Sequence, residues 1–482
     1  RSISGNNVWS GLVALGAASR INSDSDLLTI GSGISGTNVG LSIGGAGNVL
    51  VNGTIALGSA GLTKDGLGTL TLGGSSTFSG ATVVNGGSLI AVSGALASTS
   101  SLAVNGGRLQ AVNYNGSATL AVDASGTALI SGTGLSLGSV SNANVGVDSV
   151  VFSATSGTIT LSGLSGVGWT RFGSDATING SGVSQGMVDV AGLLRGDVSG
   201  GTVTAASLVS GTVSGGSSVI GSSGNVSLVS GGMLRIGAAG TLGVVGGGET
   251  TVSELASVGT MSGGTLSLGG VGVSAVGVLN GGLLSLGVGV EASVSGGSNG
   301  GTIVGSGSLT KVGGGTLTLS GVNSYSGLTN VSAGVLNIQG ANALGGTGGA
   351  TVVVEGAVME LQGGVSINGE GLTISGSGVV GGGALRSVSG NNVWNGPVAL
   401  GSAARINADS DLLTIGSGIG GTNVGLSVGG VGNVMVNGEI GLGSGGLTKD
   451  GVGTLTLNGV NTYSGATVVN GGTLIGASGA FG

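Results

Sequence analysis

The chain has 482 residues, of which 117 are glycine, one is proline and none is cysteine or histidine. Its 11 basic and 18 acidic residues leave a net charge of −7. This excludes collagen, which needs proline and a three-residue glycine period. The 39% apolar content excludes the polar, highly charged make-up of disordered chains.

The missing side chains narrow function further. Without imidazole or thiol there is no His base, no Cys nucleophile and no zinc site of the usual kind. The cations are scattered singly from Arg1 to Lys449, whereas a nucleic-acid surface needs them clustered. Absence of cysteine suits an exported chain.

In chain order, RSISGNNVWSG opens at Arg1 with neither an initiator Met nor a leader, and reads as a window on a longer chain. Next come Asn22-x-Asp24-x-Asp26, whose alternate oxygens suit a hard cation. Against this stands the simpler reading, solvated turn acids beside Arg20. From Gly61 runs GLTKDGLGTLTLGGSSTFSGATVVNGGSL. Alternation in TLTL points Leu70 and Leu72 inward and the threonines outward. Lys64 and Asp65 read as solvated turn charges, or as charges that discourage lateral aggregation of the rod.

Residues 143–198, with Asp148, Trp169, Arg171 and Asp175, are the least regular stretch. Beyond them, Gly-Gly pairs start at 200, 215, 231, 246, 263, 281 and 296. Alternating apolar and small polar residues separate these pairs, as in short strands joined by glycine corners. Residues 255–290 carry no charge. Their glycines cost about 1 kcal/mol each in a helix, so they read as buried strands and not as a membrane span.

The Gly61 module returns from Gly307 and from Gly446, with Leu317, Leu319, Leu455 and Leu457 as matching core positions. Phe78, Tyr325 and Tyr463 share one place in the three copies, as an aromatic packed at a corner or as a ligand platform. The largest repeat is longer still. Residues 1–97 recur as 386–482, with 74 of 97 positions identical. The organisation expected is one long unit over 1–385 and the start of the next over 386–482, with no separate globular domain. Asp24 and Asp26 recur as Asp409 and Asp411, and Trp9 as Trp394.

These periods predict an all-β, right-handed parallel β-helix, a solenoid of about 16–20 residues per coil in tandem long repeats. Each coil would hold three strands of three to five residues. At about 4.8 Å per coil, roughly 24 to 30 coils would make a rod of about 115–145 Å. Each long unit would advance it by about 90–115 Å.

The three TK-x-G-x-G-TLTL modules resemble the autotransporter-associated β-strand repeats of large bacterial surface proteins and adhesins. The strong resemblance covers one module's length each time. It implies export, a β-helical passenger, and an adhesive or matrix role.

No enzyme is expected, because the acids are dispersed and their closest pairs are Asp24/Asp26, Asp409/Asp411, Glu249/Glu254 and Glu355/Glu360. No cofactor is expected either, with calcium at Asp24, Asp26, Asp409 and Asp411 the weak metal candidate. The reading is an extracellular structural fibre of a biofilm matrix or cell-surface coat, self-associating end to end or laterally. Polysaccharide or other cell surfaces are further candidate partners. The alternative is an adhesin stalk that grips a glycan or protein.

Overall fold

The computed structural model describes residues 1–179, 182–184, 186–221, 224–237 and 240–481. It resolves into two compact units, Arg1–Gly237 and Ala238–Gly482. Each is a parallel β-solenoid, and the two together hold about 23 coils, fewer than the residue period suggested. Among the described residues the one helical element is a single turn, Val379–Gly381.

In the first unit, strand Asn7–Trp9 carries Leu27–Ile30, which carries Asn48–Val51, which carries Thr69–Leu72. The pairing is parallel, and the register steps evenly from Asn7 to Leu28 to Val49 to Leu70. Strand alternation sends every second side chain inward, so Ile30, Val51, Leu72 and Ala91 stack as one buried column. Burying each larger aliphatic is worth about 1.5–3 kcal/mol. At the corners, asparagines lock adjacent coils: Asn48 Oδ1 accepts the Thr69 N–H at 2.8 Å and Asn6 Oδ1 that of Leu27 at 3.2 Å.

Coil length departs from expectation. Coils are short where Thr202 pairs with Ser217 and much longer where Met359 pairs with Leu385 in the second unit. The long coil accommodates the Val379–Gly381 turn, which stands out from the wall with Val380 fully exposed. Three short strands per coil occur only in parts of the chain, as where Val13–Leu15, Gly33–Gly36 and Thr54–Ala56 form a separate third sheet. Elsewhere a corner is absorbed into one strand. Thr202–Val213 pairs with Ser217–Ile220 through its first half and with Gly224–Val229 through its second.

The glycine pairs behave as corners. Gly216, Gly232 and Gly264 have φ of +69°, +70° and +67°. A Cβ on Gly264 would meet backbone of the preceding coil at 2.6 Å. Both the left-handed backbone and the close coil-to-coil approach therefore require glycine.

Candidate functional site

In the module beginning at Gly61, strand Leu62–Lys64 points Leu62 and Lys64 inward and Thr63 outward. Lys64 thus occupies the same inward column as Ile43 of the preceding coil and Val84 of the next. It is 1% exposed, which overturns its reading as a solvated charge. The reason is geometric. The tight corner turns carbonyls toward the ammonium, and Nζ donates to Asp65 O at 2.6 Å, Gly66 O at 2.9 Å and Gly86 O at 3.0 Å. An ammonium has three donors, and all three are used.

The other copies repeat this cage. Lys311 Nζ donates to Val312 O, Gly313 O and Ala333 O at 2.7, 2.7 and 3.1 Å. Lys449 Nζ donates to Asp450 O, Gly451 O and Gly471 O at 2.6, 2.9 and 3.2 Å. Desolvation lowers the pKa of all three lysines. The sequence held a signal for this: in Leu-Thr-Lys the lysine falls on the inward beat of the alternation.

Leu70, Leu72, Leu317, Leu319, Leu455 and Leu457 lie in the core, as do Phe78, Tyr325 and Tyr463. Tyr325 and Tyr463 pair their hydroxyls with Thr329 and Thr467 Oγ1, each at 2.7 Å. Burial pushes the Tyr325 phenol well above its ordinary pKa. These rings pack at corners and offer no face to a ligand.

A family profile described as passenger-associated-transport-repeat matches residues 62–91, 309–338 and 447–475. The three modules are passenger-associated transport repeats. Compared with curated proteins and with solved structures, the chain gives no match. Such repeats in a parallel β-solenoid are consistent with the passenger region of an autotransporter, a secreted part.

Two of the transport repeats also carry an Asp after the lysine, and it does not pair with it. Asp65 binds Arg20, two coils earlier, through two oxygens at 2.5 Å. Ser42, in the coil between, donates to the same carboxylate at 3.1 Å. Arg405 and Asp450 repeat the pair at 2.6 and 2.7 Å. The arginine holds each carboxyl below its usual range.

The acids proposed for calcium have other partners. Asp24 meets Arg1 and Asn22, and Asp409 meets Arg386 and Asn407. Asp26 and Asp411 sit at φ of +58° and +57°. Each accepts a backbone N–H one coil earlier, from Gly5 and Gly390, at 2.8 Å. The expected neighbours of Asp24 and Asp409, Arg20 and Arg405, are instead committed to Asp65 and Asp450. Among the described residues no group of three acidic side chains is placed to hold a metal ion.

In the irregular stretch, Arg171 bridges Asp148 at 2.8 Å and Asp189 at 3.5 Å. Beside them a cleft of about 250 Å³ is lined by Trp169, Met187, Asp189, Thr202 and Thr204. Asp175 instead accepts the Leu193 N–H at 2.9 Å. In the second unit a shallow trough of about 580 Å³ runs past Leu372, Val398 and Ile419, with Glu439 as its one lining carboxylate. The Thr462 hydroxyl donates to that group. Among the described residues no helix is long and apolar enough to cross a membrane.

Proposed function

We propose that the chain is a segment of an extracellular structural fibre, non-enzymatic, serving a bacterial biofilm matrix or surface coat. One observation carries this reading. The residues that make the transport repeats recognisable spend their polar groups inside the solenoid, as the three lysine cages and the two Tyr–Thr pairs do. What is repeated is scaffolding, and the natural use of repeated scaffolding is length. End-to-end and lateral association of copies, with polysaccharide between them, completes the picture. Electron microscopy of material sheared from producing cells tests it. Filaments with an axial repeat of about 90 Å, from about 4.8 Å per coil, are the expected result. Short rods of bounded length ending in a distinct tip would replace the fibre by a stalk.

The second reading, an adhesin, is favoured by the Trp169 cleft, which sets an indole beside a carboxylate and two threonines. Glycan-array binding that disappears in Trp169→Ala would establish it.

A further inference from the structure

Two outward ladders run side by side on one wall of the first unit. Strand Trp169–Phe172 turns Thr170 and Phe172 inward and leaves Trp169 and Arg171 outside. Parallel pairing then stacks Trp169 on Met187 on Thr202, and Arg171 on Asp189 on Thr204. The cleft of about 250 Å³ lies where these ladders meet. Behind it Phe172 stacks on Phe152 with ring centroids 5.1 Å apart, which anchors the strand that carries the indole.

The charges beside the cleft do not balance. Arg171 binds Asp148 at 2.8 Å, while its distance to Asp189 is 3.5 Å, beyond the length of a normal N–H···O bond. One cation thus serves two carboxylates, and Asp189 keeps acceptor capacity for the cleft it lines. The next charge along the ladder is Arg235, three coils on from Asp189, which is about 14 Å at about 4.8 Å per coil. Trp169 Nε1 and Asp148 Oδ1 are shielded from solvent without a hydrogen-bond partner. A ligand's hydroxyl or amine can complete such groups.

These features select among ligands. An anion would face the surplus carboxylate, and a neutral ring would leave it without a counter-charge. A cation beside an indole is drawn to the ring quadrupole, and its bond to a carboxylate is about twice as strong as a neutral one. The indole and the Met187 thioether form an apolar wall, and the exposed Thr202 and Thr204 add hydroxyls that donate and accept. A lysine stem has no hydroxyls to meet them, whereas a sugar ring has several.

We infer that the cleft binds an amino sugar whose amine is free and protonated, a de-N-acetylated hexosamine unit of a polysaccharide. The ring lies on the Trp169 indole, its ammonium pairs with Asp189, and its hydroxyls meet Thr202 and Thr204. This rests on the adhesin reading of the same cleft and names the class of glycan it takes.

The test titrates the 482-residue chain by calorimetry in mildly acidic buffer. The probes are a glucosamine oligosaccharide and its fully N-acetylated counterpart of equal length. The free-amine form should bind about tenfold more tightly, the difference between a charge-assisted and a neutral hydrogen bond. Asp189→Asn should erase that preference, and Trp169→Ala should weaken both forms. Both side chains point outward, so the circular dichroism of each variant should match the parent. Equal or tighter binding of the N-acetylated form overturns the inference, and so does an Asp189→Asn chain that keeps the preference; both results leave the adhesin reading standing. Binding of oligolysine with neither sugar bound also overturns it, assigning the cleft to protein cations. If neither sugar binds, the inference falls, and a glycan array decides the adhesin reading separately: hits on other glycans preserve it, and a blank array removes it.

Discussion

Lysine 64 and its counterparts present a clear physical choice. A solvated lysine on a turn can be replaced at a cost within about 0.5 kcal/mol. One that satisfies three inward carbonyls cannot, because each orphaned acceptor costs about 1–3 kcal/mol. Lys311→Met should therefore lower stability by about 3 kcal/mol or more, read by chemical denaturation. Exchange of amides at the 311–334 corner should rise with it. A loss no larger than that of a surface exchange would return the lysine to solvent.

Glu370 is the opposite case. It is buried, with the Thr351 hydroxyl donating to it at 2.9 Å, and desolvation raises its pKa. A carboxyl raised in the folded state contributes stability fully below its unfolded pKa of about 4.3 and loses it as pH rises through the folded value. Glu370→Gln keeps the acceptor and removes the titration. It should match the parent near pH 4 and exceed it at pH 7 in guanidinium midpoint; equal midpoints at both would refute the buried-acid account.

Between coils, the informative elements are corners and the bonds that skip a coil. Arg20 and Asp65 tie together three successive coils through Ser42. The carboxyl is depressed there, so its contribution is present above its unfolded pKa of about 3.9 and lost as pH falls through the lower folded value. In Asp65→Asn that acid-side loss should shrink, measured as melting temperature between pH 5 and pH 2. At the glycine corners, Gly264→Ala combines positive φ with a backbone clash. It should destabilise by more than the roughly 1 kcal/mol an unstrained exchange would change.

This is also the scale at which the sequence is readable. The Gly-Gly period and the Leu-x-Leu alternation locate corners and core, because both follow from one residue's own backbone or side chain. Coil length is not legible, since the Thr202–Val213 strand rounds its corner between Ala205 and Leu208, where no glycine stands to be counted. The lysines mislead because their charge outweighs their place in the alternation, and the burial of Trp394 is beyond reach. Burial there is set by the neighbouring coil, which lies 26 to 31 residues away in sequence for the Arg386 and Asn392 contacts.

For each unit as a whole, cohesion comes from stacked side chains and internal ammonium groups, with the candidate calcium acids already committed to arginine and backbone. A chelator should leave the melting temperature unchanged, and a drop would reinstate Asp24 and Asp26 as ligands. The ladder steps carry a further consequence. Partners in adjacent coils stay close in sequence, as Thr202 with Ser217 and Met359 with Leu385, whatever the number of coils. Closing a loop of that size takes well under a microsecond (10-residue loops close in about 10–100 ns), and its entropy grows only slowly with length. Each coil can thus order on its predecessor as soon as its own short stretch has emerged, so a thousand-coil array would meet the same barrier at every rung as a ten-coil one.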